Sequence, residues 1–408
     1  MTVYDVCIIG GGASGLIAAI SAKRHNPDMS VLVIEKNDRV GKKLINTGNG
    51  RCNITNTDIC ADRYSSSYTD FFSYFEGFSA DQTEDFFKSI GVLFKTEDGG
   101  KVYPYSLQAS SVLDALRFEC DRLSVRINCN ERVEGVKKVG DIFKISSNSS
   151  QYQSCNVIIA AGGAASDKLG GCKDGYVFLK EFGHSCTPLY PCITAVKTET
   201  ILTKALKGIK SDVNLTLTVG ENKKTEFGEI LFTEYGLSGP PVLQLSQMLN
   251  GKVDGSFIID FMPEYDYDDV VLLIKNRMDS VYDDRLENLF TGMLNKRIGQ
   301  TVVKSAGLQL SDSASTLTEK NIRSIAGQIK KFRLKITGVR GFEYAQVTGG
   351  GIELGSFDVS TMQSKLCKGL YSCGEVLDIT GDCGGFNLQW AWTSGYKAGI
   401  SVANSVKR

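Results

Sequence analysis

Val3-Tyr4-Asp5-Val6-Cys7-Ile8-Ile9-Gly10-Gly11-Gly12-Ala13-Ser14-Gly15 begins as a short, apolar, β-branched run and breaks into glycine. The run predicts a buried strand over 3–9, and the stretch from Ser14 to Arg24 predicts a helix. Val31 to Ile34 predicts a second buried strand, so the opening reads as a βαβ unit of a parallel sheet. The spacing G-x-G-x-x-G gives each glycine a task. Gly10 allows the tight turn, Gly12 lets the backbone approach a pyrophosphate, and Gly15 lets the helix pack close to the sheet. The helix start at Ala13 and Ser14 offers free N–H groups and a positive dipole end to phosphates. Glu35 closes the second strand about 20 residues further on, with Lys36 beside it, where a carboxylate would hold a ribose hydroxyl pair. A ribose 2′-phosphate would be repelled there.

Two further glycine-rich stretches bear on the length of the bound dinucleotide. Lys43 and the loop Thr47-Gly48-Asn49-Gly50-Arg51-Cys52-Asn53 form the first. The second lies near the far end, Gly374-Glu375, then Asp382-Cys383-Gly384-Gly385-Phe386-Asn387-Leu388 and a helical run through Trp392. A cofactor long enough to need a second backbone-lined groove accounts for both, which points to FAD rather than NAD.

The remaining composition mainly excludes. With 408 residues the chain can bury two or three cores, so a multi-domain enzyme is expected. Lys+Arg and Asp+Glu balance at 46 each, so no whole-chain field points to nucleic acid or a membrane. Local runs break the balance. Nine acids lie between Asp260 and Glu287, and seven bases with no acid lie between Lys320 and Arg340. Both read as solvated helix faces, with a phosphate-binding patch as the alternative for the second. The 12 cysteines are scattered and never spaced C-x-x-C, which argues for reduced thiols in a cytoplasmic protein and against a disulfide reductase. Asp5 already lies within the first strand pattern, so no cleavable leader is expected. With only His25 and His184, a zinc site or a His-based triad is not expected, and no apolar run reaches the roughly 20 residues that span a bilayer.

Along the chain, helices are expected over 83–90 and 110–122. Strands are expected over 125–127, 132–136, 142–145 and 157–161, the last ending in Gly162-Gly163. Residues 191–260 alternate as strands and residues 261–335 read as helical. From 336 the strand-and-glycine pattern resumes. The expected organisation is an α/β, Rossmann-like FAD domain in two parts, 1–190 and 336–408. A β-rich insert at 191–260 and a helical insert at 261–335 would separate them.

The segments DVCIIGGGASGL, VGKKLINTGNGRCNITN, KVYPYSLQASSVLDAL, VIIAAGGAAS, ILFTEYGLSGP, AQVTGGGIEL and GLYSCGEVLDITGDCGGFNLQWAWTSGYKAG span nearly the whole chain. They resemble a bacterial family of NAD(P)/FAD-dependent oxidoreductases. The resemblance implies a split, glutathione-reductase-like FAD domain with β-barrel-like and helical substrate inserts. It also implies that Gly12 to Gly15 bind pyrophosphate and Glu35 the adenine ribose. Lys43 and the Gly48–Asn53 loop would line the flavin side. Val133 would meet adenine through its backbone, and Ala161 and Gly162 would border the nucleotide. Gly374 and Glu375 would meet the ribityl-pyrophosphate region, with Gly385, Phe386, Asn387 and Leu388 near the isoalloxazine.

Within the resemblance the chain departs at Glu234 of FTEYGLSGP, where many relatives carry His, and at Lys101, where they carry Arg. The family implies three chemistries: reduction of a conjugated C=C in a 3-oxo bile acid, reduction of uracil in ribosomal RNA to dihydrouridine, and oxidation of aminoketones. The bile-acid enone leads, because balanced charge offers RNA no global attraction. The RNA alternative rests on the basic run from Lys320 to Arg340. One dinucleotide fingerprint leaves no dedicated nicotinamide domain, so NAD(P)H would bind transiently over the flavin. The catalytic candidates are Cys52, Tyr103 and Glu234, with Tyr105 and Tyr235 as other hydroxyls, and His184 reads as structural.

Overall fold

A computed structural model describes residues 2–280 and 284–406. The chain forms two compact units, 1–190 with 346–408, and 191–345. In the first unit, β1 (Val3–Ile9) leads into α1 (Ala13–His25) and β2 (Val31–Ile34). Helices α2 (Ala80–Ser89) and α3 (Ala109–Arg122) come next, then β3 (Arg126–Asn128), β4 (Val133–Val139), β5 (Ile142–Ser147) and β6 (Gln151–Ile159). After the second unit come β7 (Leu370–Ser372) and α4 (Phe386–Ser405).

The sheet runs β3-β2-β1-β6-β5-β4, with β7 pairing β6. The β1 pairings to β2 and β6 are parallel, with Val6 opposite Val31 and Asn156. Parallel strands covered on both faces are apolar throughout, and β2 is buried at every position. β6 carries two roles. Its polar first half pairs antiparallel with β5 and its apolar second half pairs parallel with β7. That polar first half, Gln151 to Asn156, falls outside the strand expected at 157–161.

α1 is buried from Ser14 to Lys23, so it cannot be a surface helix with one apolar stripe. It lies under α4, and the two backbones come close at glycine. A Cβ on Gly395 would sit 2.4 Å from the Ser14 carbonyl oxygen, and one on Gly399 2.4 Å from that of Ala18. The start of α1 is thereby held against the middle of α4.

In the second unit, strands Val196–Thr198, Gly236–Ser238, Asn222–Phe232, Lys210–Val219, Ser256–Asp260 and Phe332–Val339 form a closed barrel. Two features differ from the sequence expectation. Helices 267–280, 296–305 and 319–330 share one apolar core with the barrel, so 191–345 is one unit rather than two inserts. The strand 332–339 alternates, with Phe332, Leu334 and Ile336 inward and Arg333 and Lys335 outward. It pairs with both Ser256–Asp260 and Val196–Thr198, so the chain returns to the first unit at 346 and not at 336.

The charge runs are not uniformly solvated. Lys330 is largely buried, holds Asp260 at 2.7 Å and donates to the Met262 carbonyl, whereas Arg323 pairs with Glu319 at 3.1 Å on the exposed face expected for the run. Asp283 and the Asp279 side chain, both in the acidic run, lie outside the described residues. Among the described residues no helix is long and apolar enough to cross a membrane.

Candidate functional site

The glycines at the start of α1 divide by what a side chain would meet. Gly10 has φ +111°, and a Cβ there would lie 2.3 Å from the Ala160 carbonyl oxygen. A Cβ on Gly15 would lie 2.0 Å from the Gly10 carbonyl oxygen. These two serve the packing of strand, turn and helix. Gly12, the N-cap of α1, would meet nothing within 4 Å, and no side chain caps the helix. Space in front of an uncapped helix start suits an anion. Gly162, with φ +71°, also faces open space. Glu35 is buried; its Oε2 accepts from the Gly11 N–H at 2.8 Å and its Oε1 from the Asn37 N–H and Nδ2. The carboxylate therefore pins the turn it faces. Lys36 and Ala13 are half-buried, and Val133 begins β4 as a buried residue.

Three links bring the opening and closing segments together. A Cβ on Gly374 would collide with Ser14 Oγ at 2.5 Å, and the Gly374 N–H donates to Ser394 Oγ at 2.9 Å. Lys43 holds Glu375 at 2.6 Å. A Cβ on Gly385 would meet the Thr55 carbonyl oxygen at 2.3 Å and Asn53 Oδ1 at 3.0 Å. Gly385 is the N-cap of α4, which likewise has no side-chain cap. Asn53 Oδ1 is buried and has no hydrogen-bond partner. An orphaned acceptor costs roughly 1–3 kcal/mol, so a donor from a bound group is the natural complement. Asn387 is committed to the protein, accepting from the Gly381 N–H at 2.9 Å and donating to its carbonyl at 2.7 Å. Phe386 is buried edge-on to Tyr64, and Leu388 is half-buried.

The loop 48–53 is tightly wound, with Gly48, Asn49, Gly50 and Cys52 all at positive φ. Cys52 adopts φ +59°, a sparsely populated region that marks the loop as held by its surroundings. Its thiol is fully buried, which pushes the pKa up to about 12, so it stays protonated at neutral pH. Arg51 projects to a different neighbour. Its guanidinium lies 4.3 Å from the Tyr103 ring centroid, donates to the Tyr103 hydroxyl at 3.2 Å and holds Glu97 at 3.1 Å. Tyr103 is buried; burial raises its pKa against the opposing charge of Arg51, which keeps the phenol protonated.

The remaining candidates have other surroundings. Glu234 and Tyr235 belong to the second unit, and Glu234 is exposed, its carboxylate held below the usual range by Lys207 at 2.7 Å. Tyr105 is exposed. His184 stacks on Phe357 and bonds Ser356 and Ser364, and burial pushes its pKa down to about 4. Thr348, in the resemblance segment AQVTGGGIEL, was given no role by sequence reasoning. Its N–H donates to Glu375 Oε1 at 2.9 Å and its hydroxyl accepts from the Ala165 N–H at 2.9 Å. The triple glycine beside it was the only signal.

The family described as "HI0933-like protein Rossmann domain" matches residues 4–401. The chain belongs to this HI0933-like family. It is 35% identical over 402 residues, 97% of this chain and 98% of the relative, to a protein of Clostridium scindens named 3-dehydro-bile acid delta(4,6)-reductase. It is 29% identical over 407 residues, 97% and 98% of the two chains, to a Haemophilus influenzae protein named ribosomal RNA dihydrouridine synthase. Among solved structures, a 3-ketosteroid-delta4-(5alpha)-dehydrogenase from Rhodococcus jostii aligns over 98% of this chain and 96% of its own, at 15% identity and TM-score 0.48. This HI0933-like chain is an FAD-dependent oxidoreductase with a Rossmann-type FAD-binding unit and a small closed barrel. Its own residues fit that cofactor: open space at Gly12, an uncapped helix start, a buried carboxylate at Glu35 and an orphaned acceptor at Asn53.

Proposed function

We propose that this enzyme reduces a conjugated C=C of a 3-oxo steroid-like enone of the bile-acid type. The carrying observation is the buried Tyr103 hydroxyl, which accepts from Arg51 and donates to no described residue. A protonated phenol with a free hydrogen, backed by a guanidinium, can donate to an enone carbonyl and polarise the double bond. The 35% identity to the protein named as a bile-acid reductase supports this substrate class.

FAD would be held by Gly12 to Gly15 and Glu35 at one end, and by Lys43, the Gly48–Asn53 loop, Gly374, Glu375 and the Gly385–Leu388 turn at the other. When bound and reduced it supplies hydride to the β-carbon of the enone, with NAD(P)H as the proposed reductant. The chain's own contribution is to place the carbonyl at Tyr103, to keep water out, and to let a proton reach the α-carbon. Cys52, neutral and fully buried, stays a packing residue in this reading.

Anaerobic stopped-flow with dithionite-reduced enzyme tests the reaction. Prompt flavin reoxidation by an unsaturated 3-oxo bile acid is expected, and none would overturn it. Tyr103→Phe should slow that reoxidation by about 10²-fold, the size of losing one preorganised donor.

Uracil carries the same enone pattern, so reduction of ribosomal RNA is the second reading, supported by the names of two relatives. Within the basic run that favoured it, Lys330 is spent on Asp260 and Arg323 pairs at the surface with Glu319, while Lys320, Lys331, Arg333 and Lys335 are exposed. Unchanged ribosomal dihydrouridine after gene deletion would remove it.

A further inference from the structure

The closed barrel of the second unit has an outer face on which the charge is one-sided. Strand register lines up the outward residues of four neighbouring strands in rungs. In one rung Arg333 lies opposite Ile258, Ile258 opposite Thr216, and Thr216 opposite Thr225. In the next, Lys335 lies opposite Ser256, Ser256 opposite Thr218, and Thr218 opposite Lys223. Leu334, Phe257 and Leu217, which alternate with these positions, are buried in the barrel core, so both rungs face outward. Arg333, Lys335 and Lys223 are exposed, as is Lys331 just ahead of the strand Phe332–Val339.

Neither rung contains an acid. Among the described residues, the side chains of Lys223, Lys331, Arg333 and Lys335 have no hydrogen-bond or ion-pair partner. Acids border the face and do not cover it. Asp260 stands one rung beyond Arg333 and is held by Lys330 at 2.7 Å. Glu199 donates its N–H to the Lys335 carbonyl at 3.0 Å, and Glu221 and Asp254 lie just before the strands that begin at Asn222 and Ser256. The equality of 46 bases and 46 acids is a property of the whole chain and conceals this local excess.

Cations separated by hydroxyls fit a row of phosphates, which accept from Lys, Arg, Ser and Thr alike. Residues two apart on one strand face repeat at roughly 6.6 Å, so Arg333 and Lys335 can meet successive groups of an extended polyanion. Phe227, opposite Asn214 in the rung of Asp260, is 63% exposed and offers its ring to an unstacked base. A bilayer surface would call for apolar side chains between the cations, and apart from half-buried Ile258 the rungs hold hydroxyls there.

We propose that this barrel face, centred on Arg333 and Lys335, binds the phosphate backbone of an unpaired RNA segment. The binding is a property of residues 191–345 alone; it goes beyond the reduction proposed above and does not depend on it.

Fluorescence anisotropy of the FAD-loaded full chain with a labelled, unstructured RNA of about 16 nucleotides tests this. The logarithm of the affinity should fall against that of salt concentration with a slope of about −2 to −3, at about 0.7 for each of three or four contacts. Arg333→Gln combined with Lys335→Gln should flatten the slope by about 1.4 and weaken binding about tenfold at low salt. Phe227→Ala should weaken it about fivefold or more at an unchanged slope. Lys296→Gln, which removes an exposed charge from the helix 296–305, should alter neither. No RNA binding at about 50 mM salt, or binding indifferent to salt, overturns the proposal with no variant needed. So does a double variant with the wild-type slope, or an equal loss in Lys296→Gln. If phosphatidylserine vesicles bind wild type and lose the double variant while RNA binds neither, the face takes a bilayer and the RNA assignment fails. No enone is present in this assay, so its failure is separate from failure of the reduction.

Discussion

Helices α1 and α4 both begin at a glycine, both lack a side-chain cap, and both are buried along much of their length. They differ in what surrounds those glycines. At α1, Gly10 and Gly15 are required by the protein's own packing, whereas Gly12 faces open space. At α4, Gly385 is crowded by the Thr55 carbonyl, and the sign of a missing partner is the orphaned Asn53 Oδ1 beside it. A glycine motif therefore mixes folding and binding, and only the surroundings separate the two.

The largest effect should come from separating them at α1. Gly15→Ala places a methyl group 2.0 Å from a backbone oxygen that cannot move without breaking the turn. We expect a loss of about 2–4 kcal/mol in urea unfolding of the apoprotein. Gly12→Ala should leave apoprotein stability within about 0.5 kcal/mol while weakening FAD binding by about tenfold or more, read by flavin fluorescence. If both variants unfold alike, the division drawn at α1 is lost.

Glu35→Ala comes next, because one carboxylate accepts from the Gly11 N–H, the Asn37 N–H and Asn37 Nδ2. Bonds to a charged group contribute about 1.5–3 kcal/mol, so FAD affinity should fall by about 10- to 100-fold. An unaltered dissociation constant would detach Glu35 from the binding surface of α1.

A smaller effect probes how α4 is held. Lys397 is buried, donates to the Tyr74 carbonyl at 2.8 Å, and burial lowers its pKa from 10.5 to about 8 against the pull of Glu76 and Asp358. Between these values the unfolded chain keeps the proton and the folded chain has released it, so this group makes stability rise with pH from about 8 to 10.5. Relative to Lys397→Met, the wild type should gain about 1–3 kcal/mol across that window in pH-dependent unfolding. A flat difference would show that the charge is not buried in α4.

The contrast between the helices also explains what was legible in the sequence. Val3–Ile9, the three glycines and Glu35 form one local pattern, and strand, turn and helix come from spacing alone. The first half of β6 was missed because Gln151, Gln153 and Ser154 look like loop residues until β5 pairs with them. The strand 332–339 was split by the expected boundary at 336, although its alternation shows one inward face. Lys43 with Glu375, Ala165 with Thr348, and Asn53 with Gly385 are contacts between segments far apart in the chain, set by how its opening and closing parts meet. No local spacing encodes them.

Asn53 offers the finest test of the second helix start. Its Oδ1 is a buried acceptor without a donor, so the apoprotein bears the cost of desolvating it. Asn53→Ala removes that acceptor, and apoprotein stability should change by no more than about 1 kcal/mol, the lost packing being offset by the relieved acceptor. The holoprotein should respond differently. If a group on FAD donates to Asn53, its affinity should fall by about five- to tenfold and the stabilisation that added FAD gives to thermal unfolding should shrink with it. Asn53→Asp keeps an acceptor at the same place and should retain more affinity than Asn53→Ala. If the two variants bind FAD as wild type does, the orphaned oxygen is an internal cost of the turn, and α4 would begin at a glycine for packing reasons alone.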